Sequence, residues 1–226
     1  MPIGGRDMQQ LTADPTPEWM PRWSPDGRQI AFYSLRTGER KLWVVPAAGG
    51  PARQLTSGPG QDSGPDWSPD GREIAFFSLR SGNADIWVVS ADGSETRQVT
   101  RDVAGDYSPT WSPDGQWLTF FATRAGKTRI WRVSAAGGKE ELLTSGPGVS
   151  PRWSPDGKRI YFVGTEERIE NLWFVSLHDR SEHPATDLHG RRGNLGWHAP
   201  STDGRYLYFA WRDDLGDVWV MDVAPE

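Results

Sequence analysis

The 226-residue sequence contains no cysteine and no apolar stretch near 18 residues long. The absence of cysteine excludes disulfides and thiolate chemistry, but it is compatible with any cellular compartment. The absence of a long apolar run excludes a membrane-spanning helix. The first residues also lack the apolar segment of a signal peptide. The sequence as written therefore predicts a cytoplasmic protein, or a periplasmic one if a signal has been removed.

Concentrated positive charge is also missing. No basic run is longer than the two residues of Arg191-Arg192, and the net charge is −5. Because binding to nucleic acid requires a concentrated basic surface, these features argue against a nucleic-acid partner. The sequence further lacks a phosphate loop, a Gly-x-Ser-x-Gly elbow and a His-Glu-x-x-His motif. These absences favour a protein that binds a ligand without transforming it.

What the sequence does contain is a repeated phrase, Trp-Ser-Pro-Asp-Gly, at residues 23–27, 67–71, 111–115 and 153–157, with an altered copy at 197–204. The tryptophans are 44, 44, 42 and 44 residues apart. A period of about 40–45 residues indicates a β-propeller or another repeat array. Pro-Asp-Gly combines a restricted φ, a side chain that bonds its own backbone and a glycine free to adopt positive φ. The phrase therefore predicts a tight turn, with Gly71 at positive φ.

Each repeat contains four short runs rich in β-branched and aromatic residues, which predict four antiparallel strands. Runs such as residues 74–77 and 86–89 do not alternate between polar and apolar residues. Such strands are buried on both faces, as in a propeller blade packed between two neighbours. Two tryptophan series, with one member of each per repeat, are expected to form the core between blades: Trp23, Trp67, Trp111, Trp153 and Trp197, and Trp43, Trp87, Trp131, Trp173 and Trp219.

The two ends of the chain carry complementary pieces of a repeat. Residues 8–12 match the fourth-strand runs but precede the first full repeat, whereas residues 217–223 form a third strand with no fourth strand after it. An N-terminal strand that completed the last blade would remove exposed sheet edges. We therefore predict an all-β, five-bladed propeller, a single domain over residues 1–226, with its ring closed by the N-terminal strand.

The pattern Pro-x-Trp-Ser-Pro-Asp-Gly, followed by Ile-Ala-Phe and then Ile-Trp-Val-Val, resembles the TolB-type propeller repeat over nearly the whole chain. The resemblance implies the propeller fold. Such repeats are found in periplasmic TolB, in the non-catalytic propellers of prolyl-oligopeptidase-like peptidases and in stand-alone bacterial proteins. TolB has six such blades and this sequence has five repeats. The fifth repeat departs most from the pattern, with His198 where serine is usual.

Loops that enter each blade, together with the loops between second and third strands, are expected on one side of a propeller, here named the channel-mouth face. Loops on a rigid scaffold commonly carry function. The entering loops comprise residues 13–20, 57–64, 101–108, 145–150 and 187–194. We predict ligand-binding residues on this face as follows: Glu18, Trp19, Asp62, Asp106, Tyr107, Arg191, Arg192, His198 and Trp211.

Three of these residues, Glu18, Asp62 and Asp106, occupy matching positions in successive repeats. They form either a partial carboxylate ring that attracts a cation or basic ligand, or local contacts with loop amides. Trp19 and Trp211 would lie on neighbouring blades of a closed ring. They form either an aromatic platform for a sugar, a peptide or a protein, or lids over loose packing.

Arginines recur after the second strand, at Arg36, Arg80 and Arg124, and are expected to form ion pairs that fix loops. The four histidines, His178, His183, His189 and His198, lie within 21 residues. This clustering is similar to the histidine-rich manganese site of oligogalacturonate lyases. At most His189 and His198 are expected to meet, however, so no metal or cofactor is predicted.

The inner-strand acid Asp66 has no second acid beside it to complete a glycosidase pair. We therefore predict a non-enzymatic, soluble, monomeric propeller that binds a protein, peptide or carbohydrate at the channel mouth. The alternatives are a carbohydrate lyase or glycosidase, and a propeller taken from, or built apart from, a larger protein, with no activity of its own.

Overall fold

The computed structural model describes residues 10–166, 169–189, 193–195 and 200–212, and the backbone of residues 218–222. The described residues form β-strands that pair in five antiparallel sheets, each of which is one blade. The all-β, five-bladed propeller is thereby confirmed. No helical segment of sufficient length and hydrophobicity to traverse a bilayer occurs in the described part of the chain.

Four blades contain four antiparallel strands each, in chain order from the channel outward. Blade 1 has β1 (Glu18–Trp23), β2 (Gln29–Ser34), β3 (Lys41–Pro46) and β4 (Arg53–Gln54). Blade 2 has β5 (Asp62–Trp67), β6 (Glu73–Ser78), β7 (Asp85–Ser90) and β8 (Thr96–Gln98). Blade 3 has β9 (Asp106–Trp111), β10 (Trp117–Arg124), β11 (Lys127–Ser134) and β12 (Glu141–Leu142). Blade 4 has β13 (Gly148–Trp153), β14 (Arg159–Glu166), β15 (Ile169–Ser176) and β16 (Glu182–Pro184).

Blade 5 is built differently. Two short segments, β17 (Asn194–Leu195) and β18 (Ser201–Thr202), pair with the same side of β19 (Tyr206–Arg212) and together form the inner strand. On its other side β19 pairs with β20 (Val218–Asp222). In its described part this blade therefore has three strand positions, where the other blades have four.

The Trp-Ser-Pro-Asp-Gly phrase forms the turn between the first two strands of blades 1 to 4. In blade 2, Ser68 Oγ donates a hydrogen bond to Asp70 Oδ1 at 2.7 Å, and the same oxygen accepts from Arg72 N at 3.0 Å. These bonds hold the pKa of Asp70 below its usual range, the Ser68 bond being the largest cause. Gly71 has a φ of 71°, as predicted. The polar groups of the turn are thus hydrogen-bonded within the turn itself.

The apolar core lies between the blades, as the runs of unbroken apolar residues predicted. One buried cluster combines Leu42 and Leu55 of blade 1 with Trp67, Ile74 and Phe76 of blade 2. Similar clusters join blades 2 and 3, blades 3 and 4, and blades 4 and 5. Blades 2 to 4 therefore bury both faces, which explains why their second and third strands do not alternate between apolar and polar residues.

The predicted closure of the ring falls at the edge of the described residues. Met8 and Gln9 lie outside them, and residues 10–12 are described but are not part of a strand. Leu11 packs beside Ile30, Phe32 and Val45 of blade 1. Trp23 is 58% exposed, whereas its counterparts are buried, with Trp67 8%, Trp111 7% and Trp153 7% exposed. Closure by the N-terminal strand therefore stays a prediction.

Candidate functional site

The inner strands of blades 1 to 4 share a β-bulge beside the channel. In blade 1 the pairing register with β2 shifts between Trp19 and Arg22, and the other three blades shift at the matching position. The bulge residue has a positive φ in every case: 52° at Met20, 66° at Gly64, 53° at Ser108 and 54° at Ser150. Such a conformation costs a non-glycine residue about 1–3 kcal/mol. Bulges of this kind redirect side chains, and here they line the channel.

Charged side chains from three blades meet beside these bulges. Asp66 Oδ1 of blade 2 accepts a hydrogen bond from Arg152 Nη1 of blade 4 at 3.0 Å and lies 3.9 Å from Arg22 Nε of blade 1. Asp66 Oδ2 accepts from the backbone N of Trp111 at 2.9 Å. Burial, and next the charge of Arg152, lower the pKa of Arg22, while Asp66 opposes this shift. The remaining cavity is about 30 Å³, enough for a water molecule. A larger ligand does not fit in this cavity.

The predicted carboxylate ring does not face the channel mouth as free charge. Asp62 and Asp106 are both 0% exposed. Asp62 Oδ2 binds Arg80 Nη2 at 2.8 Å, Asp106 Oδ1 binds Arg124 Nη2 at 2.9 Å, and Glu18 binds Arg36. The expectation of exposed carboxylates is wrong for these two aspartates, because the recurring arginine of the same blade neutralises each one. The expectation of ion pairs made by the recurring arginines is confirmed.

Each of these arginines also stacks on aromatic rings of its blade. The guanidinium carbon lies 4.9 Å from the ring centre of Trp43 for Arg36, 5.0 Å from that of Trp87 for Arg80, and 4.1 Å from that of Trp131 for Arg124. Each guanidinium thus makes both a cation–π contact and an ion pair. In blade 3, burial raises the pKa of Asp106 to about 7 in spite of Arg124. Glu140 and Asp102 also contact this arginine, so three carboxylates share one guanidinium.

Aromatic side chains line the channel-mouth face on blades 1 to 3. Trp19, 37% exposed, stacks on Tyr33 with ring centres 5.3 Å apart. Tyr107 stacks on Phe121 at 5.5 Å and meets the edge of Phe77 of blade 2 at 5.4 Å. All but Trp19 are half-buried. We refer to these five residues as the aromatic row. Trp19 is the most exposed of the five, because Tyr33, Phe77 and Phe121 also pack against the clusters between blades.

The predicted platform of Trp19 with Trp211 is not formed. Trp211 is 6% exposed and belongs to the buried cluster between blades 4 and 5, with Val163, Leu188 and Leu195. Its position in β19 matches that of the buried Ser34 in β2, because Phe209 pairs with Trp219 as Phe32 pairs with Trp43. In blade 5, neighbouring aliphatic side chains cover that site. Trp211 therefore offers no ring face to a ligand, while Trp19 does.

The histidines in the described ranges do not form a shared site. Arg191, Arg192 and His198 lie outside the described residues. His189 Nδ1 contacts Asp187 Oδ1 at 2.8 Å, and His183 packs against the ring of Phe174. Within the described ranges, no group of three or more His, Asp or Glu residues is placed to hold a metal ion.

Sequence reasoning missed the Arg22–Asp66–Arg152 cluster. These residues share one repeat position, directly before the first tryptophan of each phrase, but their types differ between repeats. The prediction of site residues relied on the same residue type recurring in successive repeats. That criterion misses a repeat position at which arginine and aspartate both occur. A comparison of charge by position would have placed Arg22, Asp66 and Arg152 around the same axis.

Comparisons with known proteins agree with this architecture. A model of the TolB beta propeller domain matches residues 1–148. Over 47 residues the chain is 45% identical to the Tol-Pal system protein TolB of Syntrophus aciditrophicus (strain SB), a match that covers 21% of this chain and 10% of that protein. The crystal structure of TolB from Acinetobacter baumannii is similar with a TM-score of 0.83 and 23% identity, over 98% of this chain and 55% of that one.

A structure from Agrobacterium tumefaciens described as TolB is similar with a TM-score of 0.81 and 26% identity, over 96% of this chain and 81% of that one. This chain thus spans about half the length of the Acinetobacter protein, at 55%. The family model itself covers well over half of this chain. The chain belongs to the TolB beta propeller domain family.

Proposed function

We propose that this chain is a non-enzymatic binding propeller whose channel-mouth face engages a peptide segment of a partner protein. The observation that carries the proposal is the aromatic row, in which Trp19 is 37% exposed and the other rings are half-buried, beside a channel cavity of only about 30 Å³. Aromatic residues supply most of the energy at protein-binding surfaces. The excess positive charge of Arg22 and Arg152 over Asp66 favours a ligand that also carries a carboxylate.

A peptide fits this surface better than a sugar does. A sugar site requires polar groups that converge on the ligand beside the aromatic ring. On this face Glu18, Asp62 and Asp106 are already bound to arginines of their own blades. The surface near the aromatic row is therefore mainly apolar, which suits the apolar side chains of a peptide.

The same ion pairs argue against the enzyme alternative. A glycosidase places two carboxylates on opposite sides of the scissile bond. In the described channel lining Asp66 is bound by Arg152 and by a backbone amide, so neither of its oxygens is free to transfer a proton.

The proposal is tested by panning the immobilised protein against a phage library of random dodecapeptides. Selected peptides should bind Trp19→Ala and Tyr107→Ala roughly 10-fold to 100-fold more weakly than the unmodified protein. Trp117→Ala is the control, because Trp117 lies at the turn end of β10, under the guanidinium of Arg132. Peptides that bind all four proteins equally would contradict the proposal. A glycan array that gave Trp19-dependent binding in place of peptides would favour the carbohydrate alternative.

The proposal includes a closed, monomeric ring. Leu11 packs on Ile30, Phe32 and Val45, and Leu55 belongs to the cluster that contains Ile74, Phe76 and Val89 of blade 2. The two leucines hold equivalent places on successive blades. This equivalence supports residues 8–12 as the outer strand of the blade that precedes blade 1. In a closed ring that blade is blade 5.

A further inference from the structure

Blades 1 to 3 each hold one arginine in the same aromatic setting. The guanidinium carbon of Arg36, Arg80 or Arg124 lies near the tryptophan of its third strand, and also 5.4, 5.5 or 5.9 Å from the ring centre of a phenylalanine in its second strand, Phe32, Phe76 or Phe120. A carboxylate completes each site, at Glu18, Asp62 or Asp106. The chain thus builds the same guanidinium-binding site three times.

In its described residues, blade 4 keeps the aromatic part of this site and has no arginine at the matching position. Phe162 pairs with Trp173 across β14 and β15, as Phe120 pairs with Trp131 in blade 3. The arginine position is occupied by Glu166, and the position of Asp106 is occupied by Gly148. A cavity of about 140 Å³ remains, lined by Phe162, Trp173, Glu166, Glu182, Gly146, Pro147 and Thr165. It has space for several water molecules.

Two carboxylates give this cavity the charge that a cation needs. Glu182 aligns with Glu140, which binds Arg124 in blade 3. Its Oε1 accepts hydrogen bonds from Ser145 N at 2.6 Å and from Ser145 Oγ at 2.8 Å, which hold the side chain in place. Glu166 is exposed at the cavity entrance. Among the described residues, none of the lining side chains is basic.

We propose that the blade-4 cavity binds a guanidinium group from outside the chain, either a small guanidino compound or an arginine side chain of the bound peptide. A guanidinium is planar and weakly hydrated, so it stacks on aromatic rings and accepts carboxylates at its edge. A lysine ammonium is more strongly hydrated and fits such a site less well. The cavity opens on the channel-mouth face, between loop 145–150 and the end of β14. The version of this proposal in which a peptide supplies the guanidinium rests on the proposed function. It specifies arginine as one residue of that peptide.

The experiment titrates the full chain with methylguanidinium, with N-acetyl-arginine methylamide and with N-acetyl-lysine methylamide, and follows the indole N–H of Trp173 by NMR. Both guanidinium probes should shift this resonance, and the lysine probe should bind about tenfold more weakly. Tighter binding of the arginine amide than of methylguanidinium identifies a peptide side chain as the source. Equal binding identifies a small guanidino compound.

Variants of the cavity provide matched controls. Glu182→Gln and Glu166→Gln should each weaken binding about tenfold. Glu166→Arg restores the residue of the other blades, so its own side chain should occupy the cavity and abolish binding. Arg80→Ala should open the equivalent cavity in blade 2, and methylguanidinium should then shift the indole resonance of Trp87.

Three results would overturn the proposal: no Trp173 shift up to about 50 mM probe, a concentration that detects even millimolar affinity, equal binding of the lysine probe, or full binding by Glu166→Arg. If the guanidinium probes do not bind but selected peptides still bind in a Trp19-dependent way, only the guanidinium proposal is wrong. Guanidinium binding without any selected peptide would instead contradict the proposed peptide-binding function.

Discussion

Asp66 of blade 2 and Arg152 of blade 4 meet across the channel, with Oδ1 and Nη1 3.0 Å apart. The two blades are not neighbours, so the contact ties opposite sides of the propeller together. Arg22 approaches the same carboxylate from blade 1. One negative charge therefore holds two positive charges in the centre of the fold.

Replacing Asp66 with Asn should destabilise the protein, because Arg22 and Arg152 would repel each other without a counter-charge. Loss of one partner of a buried pair costs about 3–5 kcal/mol. Partial exposure of the arginines screens this cost, so we expect about 1–3 kcal/mol, measured by urea unfolding. Arg152→Met is the control, since it leaves Arg22 and Asp66 balanced and should cost less. Equal losses in the two variants would show that repulsion is not the cause.

Asp106 should make stability depend on pH. Burial raises the pKa of this carboxyl from 3.8 to about 7. Between these values the folded protein holds a proton that the unfolded chain releases. The contribution to stability is therefore complete below about pH 4 and lost as pH rises through about 7, by on the order of 2–4 kcal/mol.

The Asp106→Asn variant should lack this slope when urea midpoints are compared from pH 4 to pH 7. Asp92 provides an opposite control, because bonds from Ser94 N, Ser90 and Ser94 Oγ lower its pKa to about 2. Its contribution is lost only as pH falls through about 2, so Asp92→Asn should keep the wild-type slope in this window. A slope that persists in Asp106→Asn would assign it to another group.

The channel bulges allow a reciprocal pair of substitutions. Gly64 has a φ of 66°, and an added Cβ would lie 3.2 Å from the ring of Phe77, so Gly64→Ala should cost about 1–3 kcal/mol. Ser108 holds the same conformation with a φ of 53°. Ser108→Gly should raise stability by roughly 0.5–1 kcal/mol, since relief of strain exceeds the added backbone entropy. Melting temperatures that move in the same direction for both variants would contradict the strain argument.

Much of the fold was predictable because the turn chemistry repeats. Gly71 was expected at positive φ from three residues of local sequence, and the structure has it at 71°. The sequence predicted that the recurring arginines form ion pairs, but it did not identify the partners of those arginines. Glu18, Asp62 and Asp106 recur, and so do Arg36, Arg80 and Arg124, with a constant separation of 18 residues between partners. That constant separation was the available signal that the two series bind each other.

Burial of single side chains was less predictable, because it depends on the neighbouring blade. Trp211 occupies the repeat position of the small, buried Ser34, and Leu188 and Val163 cover its larger ring. Trp23 occupies the same position as Trp67, yet it is exposed. A repeat pattern specifies where a residue sits in its own blade, and the identity of the covering residues comes from elsewhere in the chain.

Ring closure can be tested by deleting residues 1–12. If this segment completes blade 5, the deletion removes the contact of Leu11 with blade 1 and exposes the edge of β20. The loss should be on the order of several kcal/mol, with a tendency to associate. Deletion of residues 1–7 alone is the control and should have little effect. A deletion of residues 1–12 that stays monomeric with an unchanged melting temperature would refute the closure.

Trp211→Ala should destabilise the protein strongly, and Trp19→Ala should not. Trp211 is 6% exposed among aliphatic side chains of blades 4 and 5, so truncation leaves a cavity and costs about 3–5 kcal/mol. Trp19 is 37% exposed and loses mainly its stacking on Tyr33, worth about 0.5–1.5 kcal/mol. Urea unfolding of both variants measures the difference. If the two losses were equal and small, Trp211 would be accessible in solution, and an aromatic platform shared with Trp19 would again account for binding at the channel mouth.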